Sequence, residues 1–240
     1  MNENDLIELQ TQTQNITQIF TKNGPILKDG TFDSQKVKDT ILEMAAALLP
    51  KEKTDCLTEW MEKHEFFTSP ASAKYHANVA GGLAAHSLTV IYQSLVFAPM
   101  IFSNFIQTKR AESYDFSAAD IFIAALSHDF CKAGFYSVEH KKTKNYQGNW
   151  VYEPYFKVKS ENRNLGHGNE SALMLLECLP EYIHKRPVLE AISRHMGFSD
   201  LSPNESFNYS NFLQNPLVIL LQLADQTAAQ WWDCGIKAKS

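Results

Sequence analysis

A histidine and an aspartate, His128 and Asp129, stand side by side at the end of the apolar stretch 121–126. Burying an imidazole and a carboxylate among apolar residues is costly unless a partner satisfies both groups. A divalent cation is such a partner, because first-row metals bind imidazole nitrogens and carboxylate oxygens together. The pair therefore indicates a metal centre. The alternative is a core histidine that is hydrogen-bonded to the neighbouring carboxylate.

Four more residues of ligand type lie in separate segments of predicted helix. His86 follows the small and apolar run 81–85, and Asp225 lies in the apolar run 218–226. His167 and His195 stand at predicted helix ends, where a solvated side chain or an interaction with the helix terminus is the alternative to metal binding. Several separated ligand-type residues carry more weight than one pair. We predict a metal site formed by His86, His128, Asp129, His167, His195 and Asp225.

The order of these residues resembles that of the HD-domain metal-dependent phosphohydrolases, in which a His is followed by a His-Asp pair and a distant Asp. Three segments carry the resemblance, namely 75–87, 128–132 and 165–168, and it extends over roughly 75–230, about two thirds of the chain. Lys132 agrees with the family's His-Asp-x-x-Lys pattern. Cys131 stands where the family usually has Gly.

The resemblance implies an all-α HD-domain helical core and hydrolysis of a phosphoester, favouring a nucleotide or oligonucleotide, by metal-activated water. In relatives with extra histidines the Asp of the pair bridges two metals, so Asp129 would be the bridge, with His167 and His195 on the second ion. Lys132 would neutralise phosphate charge in the transition state. One or two divalent ions are expected, with Mn, Fe, Mg, Co and Ni all open. Catalytic roles fall to Asp129 and Lys132.

Two functions of other classes stay open. Some relatives use the same six ligands to hold a mixed-valence di-iron pair and oxidise a substrate with O₂. A metal-stabilised nucleotide-binding module without turnover is the second alternative. Measurement of O₂ consumption and a panel of nucleotide substrates would separate these functions from hydrolysis.

Helical periodicity dominates the chain and positions the candidate ligands. Ser117 and Asp120 form a capping-box pattern that starts the helix carrying the His-Asp pair. We expect an N-terminal helical appendage at 1–70, acting as packing helices or a dimer contact, and a hydrolase domain at 71–240. Predicted helices cover 6–20, 34–49, 56–65, 79–97, 117–130, 169–179, 187–195 and 216–231.

The segment 135–163 is different, because aromatic residues alternate with polar ones. We predict a β-hairpin insertion with strands at 144–146 and 150–152 and a turn at 147–149. Its lysines and aromatic rings suit phosphate contact and base stacking, with a hairpin that only packs on the helices as the alternative. We predict that His76, Lys157 and Lys159 bind substrate, with a short single-stranded nucleic acid as one open substrate.

Composition limits the remaining possibilities. A formal net charge of −5 and a pI near 5.9 argue against a dedicated duplex-binding protein. The 4 cysteines are far apart, which argues against a disulfide scaffold or a thiolate zinc site and indicates a reducing compartment. We expect a cytoplasmic protein, since no signal peptide is apparent and the apolar runs fall short of the ~18 residues that a membrane span needs. A homodimer stays open.

Overall fold

The computed structural model describes residues 1–159, 165–201, 204, 207–232 and 234–235. The described chain is mostly helical and carries a two-stranded antiparallel hairpin, as the sequence predicts. Residues 160–163 of the predicted insertion lie outside the described residues. The helices are α1 Glu3–Asn23, α2 Ser34–Leu48, α3 Lys51–Lys63, α4 Gly82–Phe105, α5 Ala118–Ser127, α6 His167–Cys178, α7 Arg186–Arg194, α8 Tyr209–Phe212 and α9 Pro216–Thr227.

Helix α5 begins where the capping pattern predicts. The Ser117 hydroxyl accepts the backbone N–H of Asp120, and the Asp120 carboxylate accepts the backbone N–H of Ser117 in return. The helix ends sooner than predicted, at Ser127, and a 3-10 turn follows at Phe130–Lys132. This break lies directly at the His-Asp pair, so the two side chains leave the regular helix at its C-terminal end.

Helix α4 lies at the centre of the fold and contacts α1, α2, α5 and α9. By length and composition alone it could cross a membrane, with a mean hydropathy of 1.4 over a stretch that is 50% buried against other parts of the protein. The expectation of shorter apolar runs was therefore wrong for this helix, because the Ser, Thr and Gln residues that interrupt it carry no charge.

The N-terminal helices share the hydrophobic core with α4 and α5. Phe20 of α1 stacks on Tyr92 of α4 with ring centroids 4.3 Å apart. Leu9 of α1 and Ile41 of α2 are buried in the same cluster of apolar side chains. Packing of this kind agrees with the predicted role of these helices, while the domain boundary near residue 70 stays a prediction.

The predicted hairpin is present and longer than the sequence indicates. Strand β1, Tyr136–Lys144, pairs antiparallel with β2, Trp150–Val158, in a continuous register. The turn begins at Asn145, whose side-chain oxygen accepts the backbone N–H groups of Gln147 and Asn149. The first strand predicted at 144–146 was therefore misplaced, since this asparagine turn draws residues 145 and 146 out of the strand.

Candidate metal centre

The six predicted ligands come together at one place in the helical core. His86 lies on α4, Asp225 lies on α9, and His167 is the first residue of α6. The other three stand at helix ends, because His128 and Asp129 follow α5 and His195 follows α7. Five helices therefore meet at the cluster. Because these residues are far apart in sequence, tertiary packing alone brings them together.

Two of the imidazoles are oriented by the last turn of their helices. The Nδ1 atoms of His128 and His195 lie 2.7 Å from the carbonyl oxygens of Ala125 and Ile192, respectively. A ring N–H that donates to a carbonyl fixes the tautomer and leaves the lone pair on Nε2. Both Nε2 atoms point into the cluster. This carbonyl anchor is the usual support of a metal-binding histidine.

Glycines allow the close packing that the cluster needs. A Cβ atom added at Gly168 would lie 2.4 Å from the carbonyl oxygen of Ser193, so α6 crosses the end of α7 at a distance that only glycine permits. This crossing places the rings of His167 and His195 with centroids 5.2 Å apart. A Cβ at Gly82 would lie 2.0 Å from the carbonyl oxygen of Ala77, which holds the segment around residue 76 against α4.

One oxygen of Asp129, Oδ2, faces the first group of ligands. His128 Nε2 is 3.4 Å from it and His86 Nε2 is 3.7 Å from it. Asp225 completes this group, with its Oδ1 3.0 Å from His86 Nε2 and 3.8 Å from His128 Nε2. We call His86, His128, Asp225 and Asp129 Oδ2 the first half-site. Lys132 also reaches Oδ2, at 2.6 Å.

The other oxygen of Asp129, Oδ1, faces a second group. His167 Nε2 lies 2.5 Å from it and His195 Nε2 lies 3.7 Å from it. We call His167, His195 and Asp129 Oδ1 the second half-site. Asp129 therefore lies between two sets of imidazoles, with one oxygen turned to each set. A carboxylate in this position can bridge two cations.

The charges of the cluster hold Asp129 ionised. Burial raises the pKa of this carboxyl, but Lys132, His128 and His167 outweigh burial and bring the pKa well below its usual range. Burial lowers the pKa of His167, yet the pairing with Asp129 prevails and raises that pKa to about 10. The pKa of Lys132 is likewise raised, because Asp129 overcomes its desolvation. Without a metal, protonated groups thus balance the buried carboxylate.

One ring nitrogen of the cluster has no such partner. His195 Nε2 is buried and makes no hydrogen bond within the described structure. A buried nitrogen lone pair without a partner costs free energy. The Nδ1–H group donates to the carbonyl oxygen of Ile192, so Nε2 is left as an acceptor that needs a cation or a donor. The residues present therefore fit a divalent metal, since His and Asp side chains surround this atom.

Cys131 also belongs to the cluster, although the sequence did not indicate it as a ligand. Ligand atoms of Asp129, Cys131 and His167 all lie within 4.8 Å of one another, as do those of two His-Asp trios in the same cluster. The departure from the family's Gly was the signal in the sequence, but only the 3-10 turn after Asp129 shows where the thiol goes.

The predicted substrate residues lie in two places. The His76 ring is 4.7 Å from the His86 ring, and burial together with His86 lowers the His76 pKa to about 4. Lys157 and Lys159 lie outside the cluster. Lys157 Nζ is 3.0 Å from a carboxylate oxygen of Glu139, and Lys159 Nζ donates to the carbonyl oxygen of Gly134 at 2.6 Å.

A cavity of about 630 Å³ lies between the hairpin and the segment that carries His76. This volume is within the range of about 300–1,000 Å³ that is usual for small-molecule sites. Tyr75, Tyr155 and Phe156 supply aromatic surface to it, and Asn78 supplies an amide. Ala77, the neighbour of His76, also lines it. None of the six candidate ligands lines this cavity, and its link to the cluster is His76, whose ring is 4.7 Å from the His86 ring.

No family model matches this chain, and no curated protein or solved structure matches it. The sequence resemblance to HD-domain proteins thus rests on the motif residues alone. The protein is a mostly helical chain with a buried cluster of His, Asp and Cys side chains that could hold metal ions.

Proposed function

We propose that this protein is a metal-dependent phosphohydrolase of the HD-domain type, acting on a phosphoester of a nucleotide or oligonucleotide. The observation that carries the proposal is the position of Asp129 between two groups of imidazoles. Two divalent ions would activate a water molecule near neutral pH and neutralise charge on the attacking and leaving oxygens. The first half-site would hold one ion and the second half-site the other.

Lys132 is suited to bind the reacting phosphoryl group. Its ammonium is mostly buried, with the side chain 15% exposed, and Asp129 anchors it. An ammonium has three donor hydrogens, so two stay available for phosphate oxygens when one is given to Asp129. In a site that excludes water, such a fixed charge stabilises the additional negative charge of the transition state.

The cavity between the hairpin and the segment that carries His76 supports a substrate with a planar base. Aromatic faces at Tyr75 and Tyr155 offer stacking surface, and the amide of Asn78 offers both a donor and an acceptor. His76 adjoins Ala77, which lines this cavity, and its ring is 4.7 Å from the His86 ring, so His76 is suited to contact a substrate that reaches from the cavity to the cluster. Because the pKa of His76 is low, its ring would act as a neutral hydrogen-bonding group at pH 7.

The deciding experiment combines metal analysis of the untagged protein with a substrate panel. The metal-loaded protein is offered nucleoside monophosphates, cyclic nucleotides, short oligonucleotides and matched sugar phosphates, and phosphate release is measured. Faster phosphate release from nucleotides than from the sugar phosphates supports the proposal. O₂ uptake by the iron-loaded protein without phosphate release would instead assign the oxygenase function, and metal and nucleotide binding without turnover would assign the binding module.

A further inference from the structure

We infer that Cys131 is a thiolate ligand of the ion in the second half-site, and that it makes this half-site select a borderline metal such as Co²⁺, Fe²⁺ or Zn²⁺ over Mg²⁺. The inference rests on the proposed two-ion centre and adds a seventh ligand to it. Neither the His-Asp motif nor the six predicted ligands include a thiol.

The fold places the thiol at the second half-site. Cys131 is 7% exposed, and its Sγ shares a 4.8 Å neighbourhood with ligand atoms of Asp129 and His167. Its backbone N–H donates to Ser171 Oγ at 3.2 Å. Ser171 lies one turn after His167 on α6, so a single helix fixes both the imidazole and the turn that carries the thiol.

A second observation points to a cation beside Asp129 Oδ1. His195 Nε2 makes no hydrogen bond in the described structure, its side chain is 0% exposed, and it lies 3.7 Å from Asp129 Oδ1. His167 Nε2 lies 2.5 Å from the same oxygen. A lone pair that is buried and aimed at a carboxylate oxygen is repelled unless a proton or a metal ion lies between them.

The charge of the two half-sites differs in a way that a thiolate would correct. The first half-site has Asp225 in addition to its share of Asp129. The ion pairs described for the second half-site involve only the shared Asp129, and a ligand atom of Asp225 lies within 4.8 Å of one on His195. Two neutral imidazoles and one shared carboxylate leave most of a divalent charge uncompensated. On binding, the Cys131 Sγ–H bond breaks, its proton passes to solvent, and the thiolate electron pair forms the metal–sulfur bond.

Selectivity follows from ligand type. Thiolates and imidazoles favour zinc, cobalt and iron, whereas Mg²⁺ prefers oxygen ligands and keeps much of its water. A second half-site with one sulfur and two nitrogens should therefore reject Mg²⁺. Cobalt is the best probe, because a cobalt–thiolate bond produces a charge-transfer band in the near ultraviolet, which imidazole and carboxylate ligands do not.

The experiment titrates metal-free full-length protein with Co²⁺ and follows absorption together with bound cobalt. Wild type should bind two cobalt ions and develop the thiolate band. Cys131→Ser should keep the first ion and lose the band entirely, while Cys178→Ser, which alters another buried thiol on α6, should keep it. Excess Mg²⁺ should not displace the cobalt that gives the band.

Three results would overturn the inference. Cobalt-loaded wild type without the band, or Cys131→Ser with the full band, would remove the thiolate ligand and leave the proposed function standing. Wild type that binds no cobalt by metal analysis would overturn both. If Cys131→Ser fails to fold by circular dichroism, the spectrum of cobalt-loaded wild type decides the question alone.

Discussion

The metal-ligand cluster and the hairpin differ in solvent exposure: the cluster is buried, whereas much of the hairpin is exposed. In the cluster, His128 and His195 are fully buried and held by helix-end carbonyls. On the hairpin, Tyr146 is 94% exposed and Trp150 is 60% exposed. Lys142 and Lys144 lie over the Trp150 ring, where water surrounds them.

This difference in burial determines how strongly the removal of one charged side chain affects the protein. Charges inside a protein are screened weakly, so removing one partner leaves the other charged and desolvated. Charges on an exposed strand are screened by water and salt, so their removal changes little beyond what they contact. Changes in the cluster should therefore produce losses of metal and activity, whereas changes in the hairpin should produce graded changes of affinity.

The largest effect is expected from Asp129→Ala. The variant should lose bound metal and hydrolysis completely, because this carboxylate turns one oxygen to each half-site. It also leaves the Lys132 ammonium buried without its counterion, which should lower the free energy of unfolding by about 3–5 kcal/mol. Metal analysis, phosphate release and denaturant unfolding measure these losses, and helical content should stay nearly unchanged.

Asp120→Ala is the matched control for this variant. Asp120 is also a buried carboxylate, but it caps α5 and pairs with Lys185 at 3.2 Å, away from the metal ligands. Loss of a cap costs about 1 kcal/mol. Asp120→Ala should keep its metal and activity. An Asp129→Ala protein with wild-type metal content and rate would disprove the assignment of the cluster as a metal centre.

The next effect separates the half-sites. His167→Ala or His195→Ala should lower bound metal from about two ions to about one and reduce the rate by several orders of magnitude. His76→Ala provides the control, because His76 is a half-buried imidazole beside the cluster but in neither half-site. It should keep both ions. Unchanged stoichiometry in the first two variants would move His167 and His195 to substrate binding or structure.

The identity of the candidate ligands could be read from the sequence, but their arrangement could not. Histidines and aspartates in apolar segments are conspicuous because burial demands a partner. The two oxygens of Asp129 face different imidazoles because α6 crosses α7 at Gly168. This crossing is a tertiary contact between segments without a shared local pattern. Cys131 was missed for the same reason.

Local structure was predictable where local hydrogen bonds decide it. The Ser117 cap fixed the start of α5, as expected. The extent of the hairpin was underestimated because strands of mixed polar and aromatic residues are stabilised by side-chain contacts between the two strands, which a local sequence pattern does not show. The turn was misplaced because Asn145 competes for backbone N–H groups that the strand would otherwise use.

A smaller effect concerns pH and the second half-site. The pKa of His167 is about 10 without metal, so a proton must leave before this imidazole can bind an ion. Metal affinity should therefore rise with pH between 7 and 10, with His167 contributing a factor of about ten per unit. In His167→Ala the slope of log affinity against pH should fall by one proton, as titrations of metal binding at several pH values would show.

The stability of the metal-free protein should change in the opposite direction. The folded-state pKa of His167 lies above its unfolded value of about 6.5. The stabilisation from its pairing with Asp129 is therefore complete below pH 6.5 and is lost as pH rises through 10. Unfolding by denaturant at pH 6 and pH 9.5 measures this loss. Equal stability at both values in wild type, with the same result in His167→Ala, would contradict the pairing.

The smallest effect tests whether the hairpin binds substrate. Lys157 pairs with Glu139 at 3.0 Å, and both side chains are largely solvated, at 58% and 41% exposed. If Lys157 contacts phosphate, Lys157→Ala should raise KM a few-fold and leave kcat and metal content unchanged, because the contact is the same in ground and transition states. Removing the competing carboxylate with Glu139→Gln should then lower KM. Steady-state kinetics at low and high salt measure both, and wild type should lose more affinity with salt than Lys157→Ala.

The expected changes in KM are opposite, a rise in Lys157→Ala and a fall in Glu139→Gln, and this distinguishes phosphate binding from simple pairing. If the lysine serves only to neutralise Glu139, the two substitutions remove the same interaction and should leave KM and its salt dependence unchanged.

Lys159 is the second predicted substrate residue of the hairpin, and its ammonium donates to the Gly134 carbonyl just before strand β1. Lys159→Ala should remove this hydrogen bond, loosen the base of the hairpin and raise KM, as Lys157→Ala should. Identical KM values in all three variants and wild type would make the hairpin a packing element or a partner surface, and would confine substrate binding to the cavity and the metal-ligand cluster.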